Sequence, residues 1–353
     1  MPAPGAGGSS GAGGATAAAG AAAGGSGNST SEQLPPVSGL SGVGGQGAGS
    51  SNEPSAGEAG TDAGPPPAGG ICPPGPFPES PLGGSVATQQ LCTGMTFTEG
   101  AVWFAERNTL FFSDFSLQGT TGRIMSFTPG GECQELIADA GTNGLAIAPD
   151  GNLLGARHVD QTFTLWNLET LEPTVFIGDN MGLAFNSPND LVVRSDGNIY
   201  FTDPDYFRNG RPQEQPNRTY RRDPNGVISV VDDGNSPNGI SLSPDESRLY
   251  VSQLGGAGSG ITVFDVDASG ATSNPQPFVP QGSDGMAIDC AGNLYITAGG
   301  SVQIFDPEGE SLGAIPAPQA ANVAFGGPER RTLFITAGPS LLSIELAIPG
   351  LPY

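Results

Sequence analysis

The sequence contains no lysine and a single histidine, His158, and its twelve basic side chains are all arginines. Asp and Glu number 35, which gives a formal net charge of −23. This excess of negative charge argues against nucleic acid and anionic membrane surfaces as partners. It permits bound cations, although acidity alone is also a common route to solubility. No stretch has the length and apolarity of a membrane-spanning helix, so we expect no transmembrane segment.

Residues 1–82 lack nearly everything that a folded core needs. They consist almost entirely of Gly, Ala, Ser and Pro, with one aromatic side chain, Phe77, and no basic residue. Such a segment buries too little apolar surface to offset the entropy of ordering, so we predict a disordered tail or stalk. Residues 83–353 contain short, regular bursts of aromatic and aliphatic residues and are long enough for one large all-β domain.

The tail also lacks the features of a signal peptide, because Ala17–Ala23 is only weakly apolar and no basic residue precedes it. A Gly/Ala/Ser-rich stalk before a folded domain is nevertheless common in exported bacterial proteins. We therefore expect a protein that is periplasmic or tethered to the surface through the stalk, with a signal or lipid-anchor segment missing from this sequence. A cytoplasmic protein with a disordered tail is the alternative.

The four cysteines allow three pairings. Cys72 and Cys92 flank the entry to the domain, where a disulfide between them would fasten the tail. We consider this bridge and a set of free thiols as the two alternatives.

The domain contains an internal repeat of about 45 residues, whose clearest part is a β-hairpin. In "NDLVVRSDGNIYFTD", for example, two short apolar runs flank a Ser-Asp-Gly-Asn turn. Six copies occur, and their starts are 44, 46, 49, 46 and 38 residues apart. The copies begin at Glu99, Asn143, Asn189, Asn238, Asp284 and Asn322.

Two weaker strands generally follow each hairpin, and no window shows a convincing helical period. Four strands in a unit of this length are typical of a propeller blade. We therefore predict an all-β fold, a six-bladed β-propeller with a disordered N-terminal tail. The last copy has only three obvious strands, and Val86–Leu91 can supply its outer strand and close the ring.

Blade geometry predicts where the first residue of each copy lies. If the inner strand of every blade starts at the top face, these six residues form a ring at the top of the central channel, and the Asp-Gly turns lie at the bottom. All six carry side-chain oxygen, which suits a hard cation such as Ca²⁺ better than zinc. Four of them precede a glycine, so a role in turns is the alternative for any single one.

The ordered motifs Glu-Gly-x-Val-Trp, Asn-Asp-Leu with Phe-Thr-Asp-Pro, Pro-Asn-Gly and Asp-Gly-Met-x-Ile-Asp resemble those of the gluconolactonase/regucalcin (senescence marker protein) family. The bacterial gluconolactonase branch is the most similar. The resemblance extends over about residues 95–350. It implies a six-bladed propeller that opens lactones with one divalent cation, Ca²⁺ first, with Mg²⁺, Mn²⁺ or Zn²⁺ as alternatives. The implied metal ligands are Glu99, Asn189, Asn238 and Asp284.

In this family the last ligand is also the favoured general base, so the resemblance implies that role for Asp284. The sequence departs from the family pattern at Ala101, where proline is usual, and at Asp205-Tyr206-Phe207, where bacterial members often have Tyr-Gly. Neither departure affects the four ligands, but both leave the identity of the substrate open.

Three further residues are predicted to lie on the top face and to contact substrate. Asn143 belongs to the ring, His158 follows the second strand of its blade, and Arg208 opens an arginine-rich loop. A buried structural histidine and a solvated charged loop are the alternatives for the last two.

The sequence therefore predicts a monomeric, metal-dependent lactonase acting on a small molecule, with sugar-acid lactones such as glucono-1,5-lactone as the first substrate. A non-enzymatic propeller that binds a ligand or protein, tethered by its stalk, is the alternative from another class. A related hydrolase of other esters or organophosphates is a third reading.

Overall fold

A computed structural model describes residues 72–84, 86–118, 121–256 and 258–351. Within these ranges the chain forms 24 β-strands and one short 3₁₀ turn, Ala105–Arg107. The strands form six four-stranded sheets. The predicted all-β, six-bladed propeller is therefore confirmed, whereas residues 1–71 of the predicted tail lie outside the described residues.

Each blade is an antiparallel sheet of four strands. In blades 1 to 5 the strands run in chain order from the channel outward, and in blade 6 the outermost strand is β1 from the N-terminal side. Blade 1 contains β2 Thr98–Phe104, β3 Thr109–Phe115, β4 Gly122–Phe127 and β5 Gln134–Ile137. Blade 2 contains β6 Leu145–Ile147, β7 Leu153–Arg157, β8 Thr162–Trp166 and β9 Pro173–Ile177. Blade 3 contains β10 Leu191–Val193, β11 Ile199–Asp203, β12 Arg218–Arg222 and β13 Ile228–Asp232.

The second half of the ring repeats this pattern. Blade 4 contains β14 Pro237–Leu242, β15 Arg248–Gln253, β16 Gly260–Val266 and β17 Thr272–Val279. Blade 5 contains β18 Met286–Ile288, β19 Leu294–Ala298, β20 Ser301–Phe305 and β21 Ser311–Pro316. Blade 6 contains β22 Ala320–Gly326, β23 Thr332–Ala337, β24 Ser340–Glu345 and β1 Gln89–Thr93.

The first strands of the blades lie against one another in ring order, and β22 returns to contact β2. Closure of the ring depends on β1, which precedes blade 1 in the chain but pairs antiparallel with β24 of blade 6. Its register joins Gln89 to Ser343 and Thr93 to Ser340. The predicted outer strand from the N-terminal side is thus confirmed, and it removes an exposed sheet edge.

The Asp-Gly-Asn turns at the bottom face hold themselves in place. In blade 2, the Asp150 carboxylate accepts hydrogen bonds from the backbone N–H of Asn152 at 3.1 Å and from its side-chain amide at 3.0 Å. Gly151 between them adopts a φ of +78°, which favours glycine. Asp196 and Asn198 repeat both bonds in blade 3. These contacts are local, which is why the turn can be read directly from the sequence.

The core lies between the blades, as layers of apolar side chains from facing sheets. Each hydrophobic cluster of the described residues joins two neighbouring blades. Between blades 2 and 3, for example, Phe163 and Phe201 pack with their ring centroids 4.5 Å apart, and Tyr220 stacks on Phe201. The blades therefore support one another all round the ring, which fixes the positions of the inner strands.

Residues 72–84, the described end of the predicted tail, pack against the propeller. Cys72 and Phe77 pack on the cluster between blades 4 and 5, and Leu82 packs on the cluster between blades 5 and 6. The carbonyl of Pro81 accepts a hydrogen bond from the N–H of Ala347 at 2.9 Å. The chain thus approaches β1 from beneath blade 5, beside the bottom-face turn of that blade.

Two disulfides are present, Cys72–Cys290 and Cys92–Cys133, with Cα–Cα distances of 5.5 and 6.1 Å. Both alternatives considered from the sequence, a Cys72–Cys92 bridge and a set of free thiols, are therefore wrong. Cys72 lies at the turn of blade 5, whereas Cys92 lies in the outer strand of blade 6 and faces blade 1. The two bridges fasten the N-terminal segment on either side of the closing blade.

In the described ranges, no helix has the length and apolarity needed to span a bilayer.

Candidate metal centre and active site

The six ring residues lie where blade geometry places them, within two residues of the start of each inner strand. Backbone pairing with the second strand of the blade fixes several of them. The N–H of Asn143 bonds to the carbonyl of Ala156, and that of Asn189 to the carbonyl of Thr202, both at 2.9 Å. Asp284 is partly exposed and the other five are buried. The ring consists of Glu99, Asn143, Asn189, Asn238, Asp284 and Asn322.

The glycines that follow four of these residues allow close approach between blades. A Cβ on Gly100 would lie 1.9 Å from the carbonyl oxygen of Asn143, and one on Gly285 would lie 2.4 Å from Cγ of Asn322. Four of the ring residues therefore pack directly over the glycine of the neighbouring blade, namely Asn143, Asn189, Asp284 and Asn322. Gly100 alone of the four also has a left-handed φ, of +55°. Close packing around the channel explains the glycines better than a series of turns does.

Asp190 stands where most other blades carry such a glycine, and its carboxyl reaches the centre of the channel. It is 8% exposed and accepts a hydrogen bond from the N–H of Leu191 at 2.9 Å. It also accepts one from the N–H of Ile240 in blade 4 and lies beside the amide of Asn322. The sequence reasoning assigned Asp190 no role. Its signal is an acidic residue at a position that is glycine in four other repeats.

Three carboxyl groups crowd the top of the channel. Burial, together with the charges of Asp284 and Asp190, raises the pKa of Glu99 well above its ordinary value. Burial likewise raises the pKa of Asp190 to about 7 and that of Asp284 to about 6. Hydrogen bonds offset part of the shift for Asp284, since Asn238 Nδ2 donates to its Oδ1 at 2.9 Å. Positive charge bound between these groups would relieve both the repulsion and the desolvation.

The donor set fits a hard divalent cation. The ring offers carboxylate and amide oxygens without sulfur or imidazole, which is the ligand type of Ca²⁺ and Mg²⁺. In the part of the chain that the structure describes, no three His, Cys, Asp or Glu side chains form a metal site by themselves. A cation here would therefore depend on the asparagine oxygens of Asn189 and Asn238 as well as on Glu99 and Asp284.

His158 lies beneath the loop between β11 and β12 and is fully buried. Its ring packs between Phe115 and Phe207, with centroids 4.9 and 5.0 Å away, and within the described residues neither ring nitrogen has a hydrogen-bond partner. Burial, together with the charges of Arg211 and Arg157, lowers its pKa to about 4, so the ring is neutral at pH 7. Its predicted contact with substrate remains a prediction.

Arg208 is held by its own loop. Its guanidinium donates to the carbonyl of Arg211 at 3.0 Å and lies 3.8 Å from the carboxylate of Asp205. Arg211 in turn donates to the carbonyls of His158 and Val159. Arg211 therefore ties the loop to blade 2, and Arg208 stabilises the loop itself. The predicted contacts of Asn143 and Arg208 with substrate likewise remain predictions.

Tyr206 is a second residue to which the sequence reasoning assigned no role. It lies in the same loop, and its hydroxyl donates to the carbonyl of Ser236 at 3.2 Å. The hydroxyl is also beside the amide of Asn238 and close enough to feel the charge of Asp284. The sequence feature that could have identified Tyr206 is its position in Asp205-Tyr206-Phe207, the segment that departs from the family pattern.

Residues 97–338 match the family model described as "SMP-30/Gluconolactonase/LRE-like region". A gluconolactonase from Zymomonas mobilis is 31% identical over 291 residues, which cover 74% of this chain and 82% of the relative. A pentonolactonase from Haloferax volcanii is 25% identical and covers 70% of this chain and 84% of its own length. Among solved structures, a gluconolactonase from Xanthomonas campestris superposes with a TM-score of 0.67 at 32% identity, covering 82% of this chain and 99% of that one.

Proposed function

Because this chain belongs to the SMP-30/gluconolactonase/LRE-like family, it is a lactone-hydrolysing enzyme, and we propose that it opens sugar-acid lactones such as glucono-1,5-lactone with a divalent cation. Ca²⁺ is the first candidate, bound by Glu99, Asn189, Asn238 and Asp284. The relatives' names support the substrate class, since one is a gluconolactonase and another a pentonolactonase.

The crowding of Glu99, Asp190 and Asp284 is the observation that carries the proposal for the cation. Glu99 and Asp190 are buried and Asp284 is partly exposed, and the three carboxyls lie close enough to repel one another. Neutral amides alone cannot balance their charge. A site that needs positive charge and offers only oxygen donors is well suited to Ca²⁺.

When bound there, the cation supplies a Lewis acid for the lactone carbonyl. Asp284 acts as the general base: its carboxylate takes a proton as the water oxygen bonds to the carbonyl carbon. The bond between that carbon and the ring oxygen then breaks, and Asp284 returns the proton to the departing alkoxide. Its hydrogen bond from Asn238 holds one carboxylate oxygen in place.

The test uses the full chain, because Cys72 in the predicted tail is bonded to the propeller. The protein is stripped with a chelator, resupplied with Ca²⁺, Mg²⁺, Mn²⁺ or Zn²⁺, and assayed by proton release on sugar and aliphatic lactones. We expect a divalent cation to restore turnover, and Asp284→Asn to lower kcat by at least about 100-fold. Asp150→Asn, in a bottom-face turn, is the matched control and keeps full activity.

Turnover that survives both the chelator and Asp284→Asn would contradict the proposed mechanism. Metal binding without turnover on any lactone would favour another ester as substrate or the binding propeller.

We further propose that the protein is exported. Its four cysteines form two disulfides, which persist mainly in oxidising compartments. Cell fractionation with a thiol-reactive probe tests this, since a cytoplasmic enzyme would be found in the soluble fraction with its four thiols reactive.

A further inference from the structure

The loop between β11 and β12 places one aromatic side chain beside the ring. Tyr206 is 37% exposed, so part of its ring faces the solvent. Its hydroxyl contacts Ser236, which immediately precedes β14, and lies beside Asn238 in that strand. The hydroxyl therefore sits next to one proposed metal ligand and near another, Asp284, at the boundary of blades 3 and 4.

The position of Tyr206 is fixed from both sides. Before it, the Asp203 carboxylate accepts hydrogen bonds from the N–H groups of Asn186 and Ser187, each at 2.9 Å. After it, the N–H of Phe207 donates to the hydroxyl oxygen of Ser187 at 3.1 Å, and that hydroxyl donates to the carbonyl of Pro204 at 2.7 Å. Ser187 lies two residues before Asn189, so the loop is anchored to the strand entry that carries a ring residue.

The hydroxyl of Tyr206 can form a further hydrogen bond with a ligand. The carbonyl of Ser236 already accepts from the N–H of Leu254 at 2.8 Å, so the 3.2 Å bond from Tyr206 is the weaker of two. A phenolic hydroxyl offers one hydrogen and two lone pairs. The partly exposed phenol of Tyr206 is held in a fixed position beside the six channel residues. It therefore presents an apolar face and a polar hydroxyl to a ligand.

We propose that Tyr206 is a specificity-determining residue, whose hydroxyl hydrogen-bonds a ring hydroxyl of the substrate and so selects hydroxylated lactones over unsubstituted aliphatic ones. The inference rests on the proposed function and deepens it by assigning the substrate class to one side chain. A site that hydrogen-bonds a substrate hydroxyl disfavours an analogue lacking it, because the polar group of the protein is then left without that partner.

The test compares Tyr206→Phe with Tyr200→Phe as a matched control. Tyr200 lies in β11 of the same blade, and its hydroxyl bonds to the carbonyl of Gly270 at 2.6 Å, beside the bottom-face turn of blade 3. Tyr206→Phe should lower kcat/KM for glucono-1,5-lactone about five- to tenfold, as loss of one hydrogen bond predicts, and change that for δ-valerolactone less than about twofold. Tyr200→Phe should leave both values unchanged.

Two further measurements separate this inference from the proposed function and from a structural role. Binding of 1,5-anhydro-D-glucitol, a ring polyol without a carbonyl, is compared with that of tetrahydropyran by ligand-observed NMR. Tyr206→Phe should weaken binding of the polyol and leave binding of tetrahydropyran unchanged. This measurement does not require lactone hydrolysis, so it still tests this inference if the wild type opens no lactone, an outcome that would contradict the proposed function. Calcium affinity by titration calorimetry should stay within about twofold. An equal fall for both lactones, unchanged polyol binding, or a parallel loss of calcium affinity would each overturn the inference.

Discussion

On the bottom face, the carboxylate of Asp289 accepts four hydrogen bonds, all from residues of its own hairpin. On the top face, the carboxyls of Asp190, Asp284 and Glu99 lie close together. These three residues come from three different blades. The same residue type thus completes a local turn at one end of the channel and forms part of a long-range cluster at the other. We therefore expect stability and the proposed activity to depend on opposite ends of the channel.

The two disulfides lie away from the top-face cluster. Neither disulfide contains a residue near the ring: Cys72–Cys290 lies at a bottom-face turn, and Cys92–Cys133 joins the outer part of blades 6 and 1. The ring residues themselves are held by hydrogen bonds and close packing. Changes at the two ends of the channel should therefore have different consequences for stability and for activity.

Removal of the disulfides should have the largest effect on stability. They close loops with sequence separations of 218 and 41 residues. In the chain-entropy account, their loss costs about 5 and about 4 kcal/mol of unfolding free energy, and less where the unfolded chain retains structure. The double variants Cys72→Ser/Cys290→Ser and Cys92→Ser/Cys133→Ser are compared by urea denaturation. At temperatures where each variant is folded, kcat/KM should match that of the wild type. A loss of activity without a loss of stability would contradict the expectation that the disulfides serve stability and the top face serves activity.

The top-face carboxyls should make the metal-free protein less stable as the pH rises. Their pKa values are raised in the folded state, so the folded protein binds more protons than the unfolded chain between about pH 4 and about pH 7. The stabilisation is present below the unfolded pKa values and is lost as the pH rises through the folded ones. For Asp284 alone, the rise in pKa to about 6 corresponds to a loss on the order of 3 kcal/mol.

Thermal unfolding in chelator from pH 4 to pH 8 measures this loss. Ca²⁺ should reverse it by binding the folded state alone, and Asp190→Asn should flatten the pH profile. A metal-free protein whose stability rises over this range would contradict the crowding of charge described for the ring.

The turns of the bottom face and the positions of the ring residues on the top face could be predicted from the sequence. The Asp-Gly-Asn turns depend on contacts within a few residues, and the ring positions follow once each repeat is assigned to a blade. The disulfide pairing could not be predicted, because it depends on the path of residues 72–84 beneath blade 5. The placement of Asp190 and Tyr206 against the ring was likewise missed, because it depends on contacts between strands and loops far apart in sequence.

Asp289→Ala tests the bottom face and should have the smallest effect of the three. The substitution leaves the hydroxyl of Tyr295, which donates to Asp289 at 2.9 Å, without its partner in a buried environment. We expect a loss of about 2 kcal/mol in unfolding free energy, with kcat/KM on lactones unchanged. Asp150→Ala, in the exposed turn of blade 2, is the matched control and should cost less than about 1 kcal/mol. Asp284→Asn should show the opposite pattern, with activity lost and the metal-free protein at least as stable as the wild type. If Asp289→Ala instead reduced turnover as strongly as Asp284→Asn, the two ends of the channel would be coupled, and the division of roles between them would fail.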